Sequence, residues 1–186
     1  WDGGIVNLPA VSIIVLMSLL LIKGTKESAT VNAVIVAIKV TVVLVFIFLG
    51  WKYINEANYT PYIPENTGNF GDFGFSGIIR AAAIVFFAFI GFDAVSTAAQ
   101  EAKNPKRDMP IGILGSLVVC TVLYILFGHV LTGVAPWKDF VDPEKGREAS
   151  VAYAISTYMI GYGWLAKAVT IAILAGFSSV ILVMLM

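Results

Sequence analysis

Along this chain, runs of fifteen to twenty-five mostly apolar residues alternate with polar connections, the runs falling at residues 8–22, 30–51, 77–98, 111–135 and 164–186. An α-helix rises about 1.5 Å per residue, so about 20 such residues cross the roughly 30 Å hydrocarbon core of a bilayer. The run 8–22 is the shortest and holds Pro9 near its start. Its length also suits an interfacial segment, and its long apolar neighbours favour a crossing. Within the runs, apolar residues occupy every helix face rather than one stripe, as in helices solvated by lipid or by other spans. The pattern predicts an all-α integral membrane chain that crosses the bilayer five times.

The connections orient it. If the runs alternate, one side carries Lys23, Lys26, Lys103, Lys106 and Arg107 in the short connections 23–29 and 99–110, with Glu27, Glu101 and Asp108. The other side carries Lys52, Lys138, Lys145 and Arg147 against eight acidic residues, spread mostly over the longer connections 52–76 and 136–163. Basic residues near helix ends favour the cytoplasm, so the density in the short connections puts 23–29 and 99–110 inside. Trp51, Tyr53, Trp137 and Trp164 fall at the outer interface, where amphipathic rings settle. In the second outer loop, Asp142-Pro143-Glu144 is a helix start signal. Val151, Tyr153, Ala154, Ile155, Tyr158 and Met159 then suit a short amphipathic helix on the surface, as a lid or as a connector.

Composition adds exclusions. Of 186 residues, 59% are hydrophobic and 13% charged, with a net charge of zero. Soluble domains sit near 45–50% and 25%. No basic cluster exceeds Lys103, Lys106 and Arg107, which argues against nucleic acid as a partner. The single cysteine, Cys120, permits no internal disulfide. No metal-ligand cluster, phosphate loop or locally spaced nucleophile–base pair stands out, so neither a cofactor nor an enzyme is expected. The chain opens at Trp1-Asp2-Gly3-Gly4 and stops at Met186 inside an apolar run, so residues 1–186 read as one transmembrane piece of a longer protein.

Ionisable residues inside the runs carry the chemistry. Arg80 and Lys167 lie about a turn from helix ends, where a long stem can snorkel to the interface. Lys39 lies nine residues from Thr30 and twelve from Trp51, about 14 Å from the nearer end. A charge facing lipid there costs about 2.5–3.5 kcal/mol. Lys39 should therefore face the protein interior, either changing protonation in a functional cycle or bonding backbone carbonyls of a neighbouring helix. Gly91 followed by Asp93 invites a helix break, with Asp93 capping the amides of Val95 and Ser96. A continuous helix with Asp93 bonded to its neighbours is the alternative. His129 reads as a hydrogen-bonded interior histidine or a proton relay, and Ser178 and Ser179, after Gly176, as packing or ion-coordinating residues.

The run Phe86-Phe87-Ala88-Phe89-Ile90-Gly91-Phe92-Asp93-Ala94-Val95-Ser96, followed by Glu101-Ala102-Lys103-Asn104-Pro105-Lys106-Arg107-Asp108-Met109-Pro110, resembles the sixth span and following loop of amino acid permeases. The family is the amino acid-polyamine-organocation superfamily, in the branch of cationic amino acid transporters and their bacterial homologues. Ile22-Lys23-Gly24-Thr25-Lys26-Glu27-Ser28 through Lys39 also fits its fourth and fifth spans. The resemblance covers essentially the whole chain, from span four into span eight. It implies a fragment of a five-plus-five inverted-repeat, leucine-transporter-type helical bundle with a discontinuous sixth span.

The same resemblance implies the roles. Carbonyls of Phe87, Ala88 and Ile90 at the break would hold a substrate α-amino group, and Phe87 would gate the site. Gly91, Phe92 and Asp93 would complete the motif, with Asp93 beginning the inner half-helix. Lys39 resembles the fifth-span lysine that, in proton-coupled members, stands where sodium sits in relatives. The implied activity is proton-coupled secondary active amino acid transport by alternating access in the plasma membrane. An exchanger or facilitator without proton coupling is the alternative, and a non-transporting scaffold or channel subunit the reading from another class. The partners would be an amino acid, protons, membrane lipids and the missing spans, including the first, third and tenth. Without them the chain should not transport by itself.

Overall fold

The computed structural model describes residues 8–23, 25–86, 104–141 and 150–185. These residues form seven α-helices: α1 (Leu8–Lys23), α2 (Thr25–Gly50), α3 (Gly74–Phe86), α4 (Pro105–Val134), α5 (Trp137–Val141), α6 (Ser150–Tyr158) and α7 (Gly163–Leu185). Two 3-10 turns, Trp51–Tyr53 and Glu56–Tyr59, follow α2. Thr30–Tyr53, Pro105–Val134 and Gly163–Ile181 are long and apolar enough to cross a membrane, while Ala10–Leu19 and Gly74–Phe86 are shorter apolar helical segments. No strand occurs among the described residues.

Hydropathy marks the apolar part of each helix and misses where the helices end. Residues 25–29, expected in a connection, begin α2, because Thr-Lys-Glu-Ser-Ala contains nothing that breaks a helix. The connection expected at 99–110 is likewise helical from Pro105 onward. Proline suits the first helical turn, where an amide is unpaired in any case. Asp108 then accepts from the Asn104 amide at 3.2 Å and puts a carboxylate at the positive end of the helix. The loop 52–76 yields its last three residues to α3, and the loop 136–163 contains α5 and α6.

Packing concentrates at one end of the bundle, the capped end, where α2 and α4 finish and α7 starts. Phe46 and Ile47 of α2, Val130 and Val134 of α4, Ile155 of α6, the following Met159, and Leu165 and Val169 of α7 form the buried core. The Phe46 and Phe127 rings meet at 4.9 Å between centroids. Helix α2 packs most extensively on α7, and α1 lies against both. All but Met159 of the residues expected to form a surface helix lie in α6, but Ala154 and Ile155 are fully buried against this core. A nine-residue helix with one apolar face is best served by a protein groove when α2, α4 and α7 supply one.

The capped end also satisfies a free carbonyl of α4. A helix leaves its last carbonyls without intrahelical donors, and in or near lipid these must be met by protein. Here the Gly133 carbonyl accepts from the Asn55 amide at 3.0 Å and from Asn58 Nδ2 at 2.7 Å. One turn earlier, Tyr59 donates its hydroxyl to the His129 carbonyl at 2.8 Å, which also accepts from the Thr132 hydroxyl. The loop that follows α2 is thus the cap of α4. Asp139 accepts from the Tyr158 hydroxyl, tying α5 to α6. That bond, with burial and the adjacent carboxylate charge, pushes Tyr158 up to about 12.

Candidate functional site

Lys39 sits at mid-length of α2 and is half-buried on the side that meets α7. Its stem runs along the bare backbone of Gly176, with Cδ, Cε and Nζ at 3.5, 3.7 and 3.8 Å from the position a Cβ would take there. Glycine leaves the long side chain a path between two helices that closely approach. Beside it lies a cavity of about 210 Å³, lined by Lys39, Val42, Phe46, Phe127, Val169 and Ala172 among others. Every other lining residue is apolar. The lysine therefore faces protein, as its depth in the run requires, with an apolar cavity beside it.

A second polar contact lies on the same seam. Ser179, 5% exposed, donates its hydroxyl to Asn32 Oδ1 at 2.5 Å. Asn32 precedes Lys39 by seven residues, two helical turns and hence the same face of α2. Sequence reasoning misses Asn32, although that spacing from Lys39 is the signal that could have found it. Ser178 instead donates to the Leu174 carbonyl at 3.2 Å, within its own helix. The serine pair thus divides between a helix–helix bond and a local one.

The other candidates fall elsewhere. Phe87, Ala88, Ile90, Gly91, Phe92 and Asp93 lie outside the described residues, as does Asp142-Pro143-Glu144. His129 is hydrogen-bonded but not interior: its ring is exposed at the capped end, stacked on Tyr59 at 4.9 Å and 7°, with Tyr59 Oη 3.3 Å from Nε2. It sits in the last turn and a half of α4, so the residues around it belong to the capping loop rather than to the bundle interior. Burial, with a smaller contribution from Tyr62, raises the Tyr59 pKa. Arg80 reaches out of α3 to Asp72 at 3.3 Å, both side chains well exposed, and Lys167 is exposed on α7. Among the described residues, no group of three or more His, Cys, Asp or Glu is placed to hold a metal ion.

A family model described as amino acid permease matches residues 4–186. The chain belongs to the amino acid permease family. Among curated relatives, the branched-chain amino acid permease of Bacillus subtilis (strain 168) is 42% identical over 181 residues, covering 96% of this chain and 36% of that protein. The methylthioribose transporter of the same organism is 40% identical over 185 residues, covering 98% and 36%. Cationic amino acid transporter 9, chloroplastic, of Arabidopsis thaliana is 39% identical over 183 residues, covering 97% and 30%. The chain spans about a third of the length of these relatives. Membership and the apolar helices make this amino acid permease segment an integral membrane protein of the all-α permease fold. The seam between α2 and α7 is then a contact between two helices of a permease.

Proposed function

We propose that this segment belongs to a proton-coupled secondary active amino acid transporter of the plasma membrane, working by alternating access. The observation that carries the coupling half is Lys39, an ionisable side chain deep in a spanning helix, laid on Gly176 of α7 and bordered by an apolar cavity. Any shift of α2 against α7 changes what surrounds the Lys39 amine. That change is what a proton-driven cycle uses. The carbonyls of Phe87, Ala88 and Ile90 take the substrate amine in this reading, Phe87 closes over it, and Gly91, Phe92 and Asp93 form the break into the inner half-helix. The connections bearing Lys106 and Arg107 face the cytoplasm.

The proposed substrate is an α-amino acid with a small or branched apolar side chain. The positions that take the substrate in this reading, Phe87, Ala88 and Ile90, offer no charged side chain to a cationic one, and a Bacillus subtilis relative carries a branched-chain name. Exchange or facilitated transport at the same site, without proton coupling, is the second reading. Uptake by the full-length parent in liposomes decides between them. Accumulation of labelled amino acid driven by an inward proton gradient is the expected result. Uptake indifferent to pH and driven by sodium, or pure exchange, overturns the proton assignment. Conductance without saturable, stereoselective binding overturns transport altogether.

A further inference from the structure

Ser179 is the one polar side chain within the buried set among the described residues, and it meets Asn32 across the α2–α7 seam. Along α2, Asn32 and Lys39 are two turns apart on one face, about 10 Å along the axis. Along α7, Gly176 precedes Ser179 by three residues, about one turn. The two contacts, Asn32 with Ser179 and Lys39 with Gly176, thus belong to one strip of one helix pair. They differ in what they specify. A stem lying on a glycine is compatible with small slides of α7 along α2, because neither partner has directional chemistry. A hydroxyl donating to an amide oxygen is directional, and a slide of one residue, about 1.5 Å, breaks it. Phe46, Val169 and Ala172, which line the cavity beside this strip, are apolar and equally tolerant of sliding.

We infer that Asn32 is a positioning residue: its hydrogen bond with Ser179 sets the register of α7 against α2 and so keeps Lys39 on the bare backbone of Gly176. The inference rests on the reading of Lys39 as the coupling group for its functional half only. The register half stands on the geometry of the two contacts. Neither Asn32 nor Ser179 touches substrate in this scheme, and neither carries a charge. Their effect on transport passes through where Lys39 lies.

The test uses the full-length parent with Cys120→Ser and Gly176→Cys. The new thiol stands beside the Lys39 amine, so a short amine-to-thiol cross-linker reads the register directly, without transport. Adding Asn32→Ala or Ser179→Ala should lower the cross-linking yield at least threefold, and Ser179→Thr, which keeps the hydroxyl, should restore it. An unchanged yield overturns the inference. In liposomes, with Gly176 intact, Asn32→Ala and Ser179→Ala should move the midpoint of the pH–uptake profile in the same direction, the double variant no further than either single one, with KM for the amino acid changed less than twofold. A midpoint that stays put in both variants while Lys39→Ala moves it overturns the functional half. Lys39→Ala with the parental pH profile overturns the coupling reading instead, and the cross-linking yield still decides the register. If Asn32→Ala fails to fold, the Ser179→Ala and Ser179→Thr pair decides the register in the same way.

Discussion

Helix α4 is built in two different ways along its length. Near its end Val130, Gly133 and Val134 are buried, the Gly133 carbonyl is met by Asn55 and Asn58, and Tyr59 bonds the His129 carbonyl a turn earlier. Its first five turns are largely bare: Ile111, Leu114 and Val118 are each more than 60% exposed, and nothing lies within 4 Å of a Cβ built on Gly112 or Gly115. At the capped end the chain supplies its own solvent, in the form of side chains from the loop after α2 and from α6. Over the first five turns the apolar surface is left for lipid or for other spans, the relatives being about three times as long as this chain. Local stability should therefore reside at the capped end, and substitutions there should cost far more than substitutions of similar size on the bare turns.

The largest effect is expected from Ile155→Ala. Ile155 is fully buried where α6 closes on Phe46 and Val130. Truncating it leaves a cavity among the core side chains, for a loss of about 2–5 kcal/mol. Leu114→Ala removes a similar side chain that is 62% exposed and should cost little. Thermal unfolding of the full-length parent in detergent checks the pair. Equal shifts would mean that other spans bury Leu114 as tightly as this chain buries Ile155.

Next comes Gly133→Ala. A Cβ there would run into the Tyr59 hydroxyl and lie 3.0 Å from Tyr59 Cζ and 3.1 Å from Ile54 Cγ1. The tyrosine must leave, taking its bond to the His129 carbonyl with it, and overpacking of this kind costs about 1–3 kcal/mol. The direct readout is exposure of the Tyr59 phenol. Its raised pKa, caused first by burial and then by Tyr62, should fall toward the ordinary tyrosine value in a spectrophotometric titration. A Gly133→Ala protein whose tyrosine titration is unchanged would show that the loop does not depend on this close approach.

Tyr158→Phe is a smaller break in the same region. Removing a hydroxyl bonded to a carboxylate on a partly exposed surface should cost about 1 kcal/mol or less. The pH dependence has a definite sign. Folding raises the Tyr158 pKa from 10.0 to about 12, with the Asp139 hydrogen bond as the first cause. The stabilisation is therefore complete below pH 10 and is lost as the pH rises toward and through about 12. The parent should lose stability between these values more steeply than Tyr158→Phe. Parallel curves would remove the bond from the account.

The same contrast explains what is legible in the sequence. Long apolar runs mark helices whatever their neighbours, because lipid and protein interior ask the same of a side chain, so the all-α membrane character needs no structure. The depth of Lys39 within its run likewise requires a protein-facing position. Helix ends are harder to place, because polar residues such as Thr25-Lys26-Glu27 and Lys106-Arg107 continue a helix into water as readily as they leave it. The α6 face is visible as amphipathic, but its partner is not: one stripe suits a membrane surface or a groove equally, and only the convergence of α2, α4 and α7 chooses the groove. The polar ties are hardest to see. Tyr59 to His129 spans seventy residues and Asn32 to Ser179 spans 147, and no local pattern announces either. The substrate break proposed at 87–93 rests on its motif alone.

The smallest expected effect sharpens the comparison most, because it has the opposite sign. Gly115→Ala puts a methyl into open space on the bare part of α4 and removes the backbone freedom that glycine retains in the unfolded chain. In the absence of other contacts it should stabilise the helix by about 0.5–1 kcal/mol. The same substitution should behave differently if another span approaches here, because a glycine at a helix–helix crossing allows backbones to come close and a methyl forces them apart. Measuring Gly115→Ala in this chain and in the full-length parent, both in detergent, separates the cases. A gain in both assigns this face to lipid. A gain in the chain with a loss in the parent assigns it to a span that this chain does not contain. A loss already in this chain would contradict the open surface around Gly115, and with it the division of α4 into a packed end and a bare one.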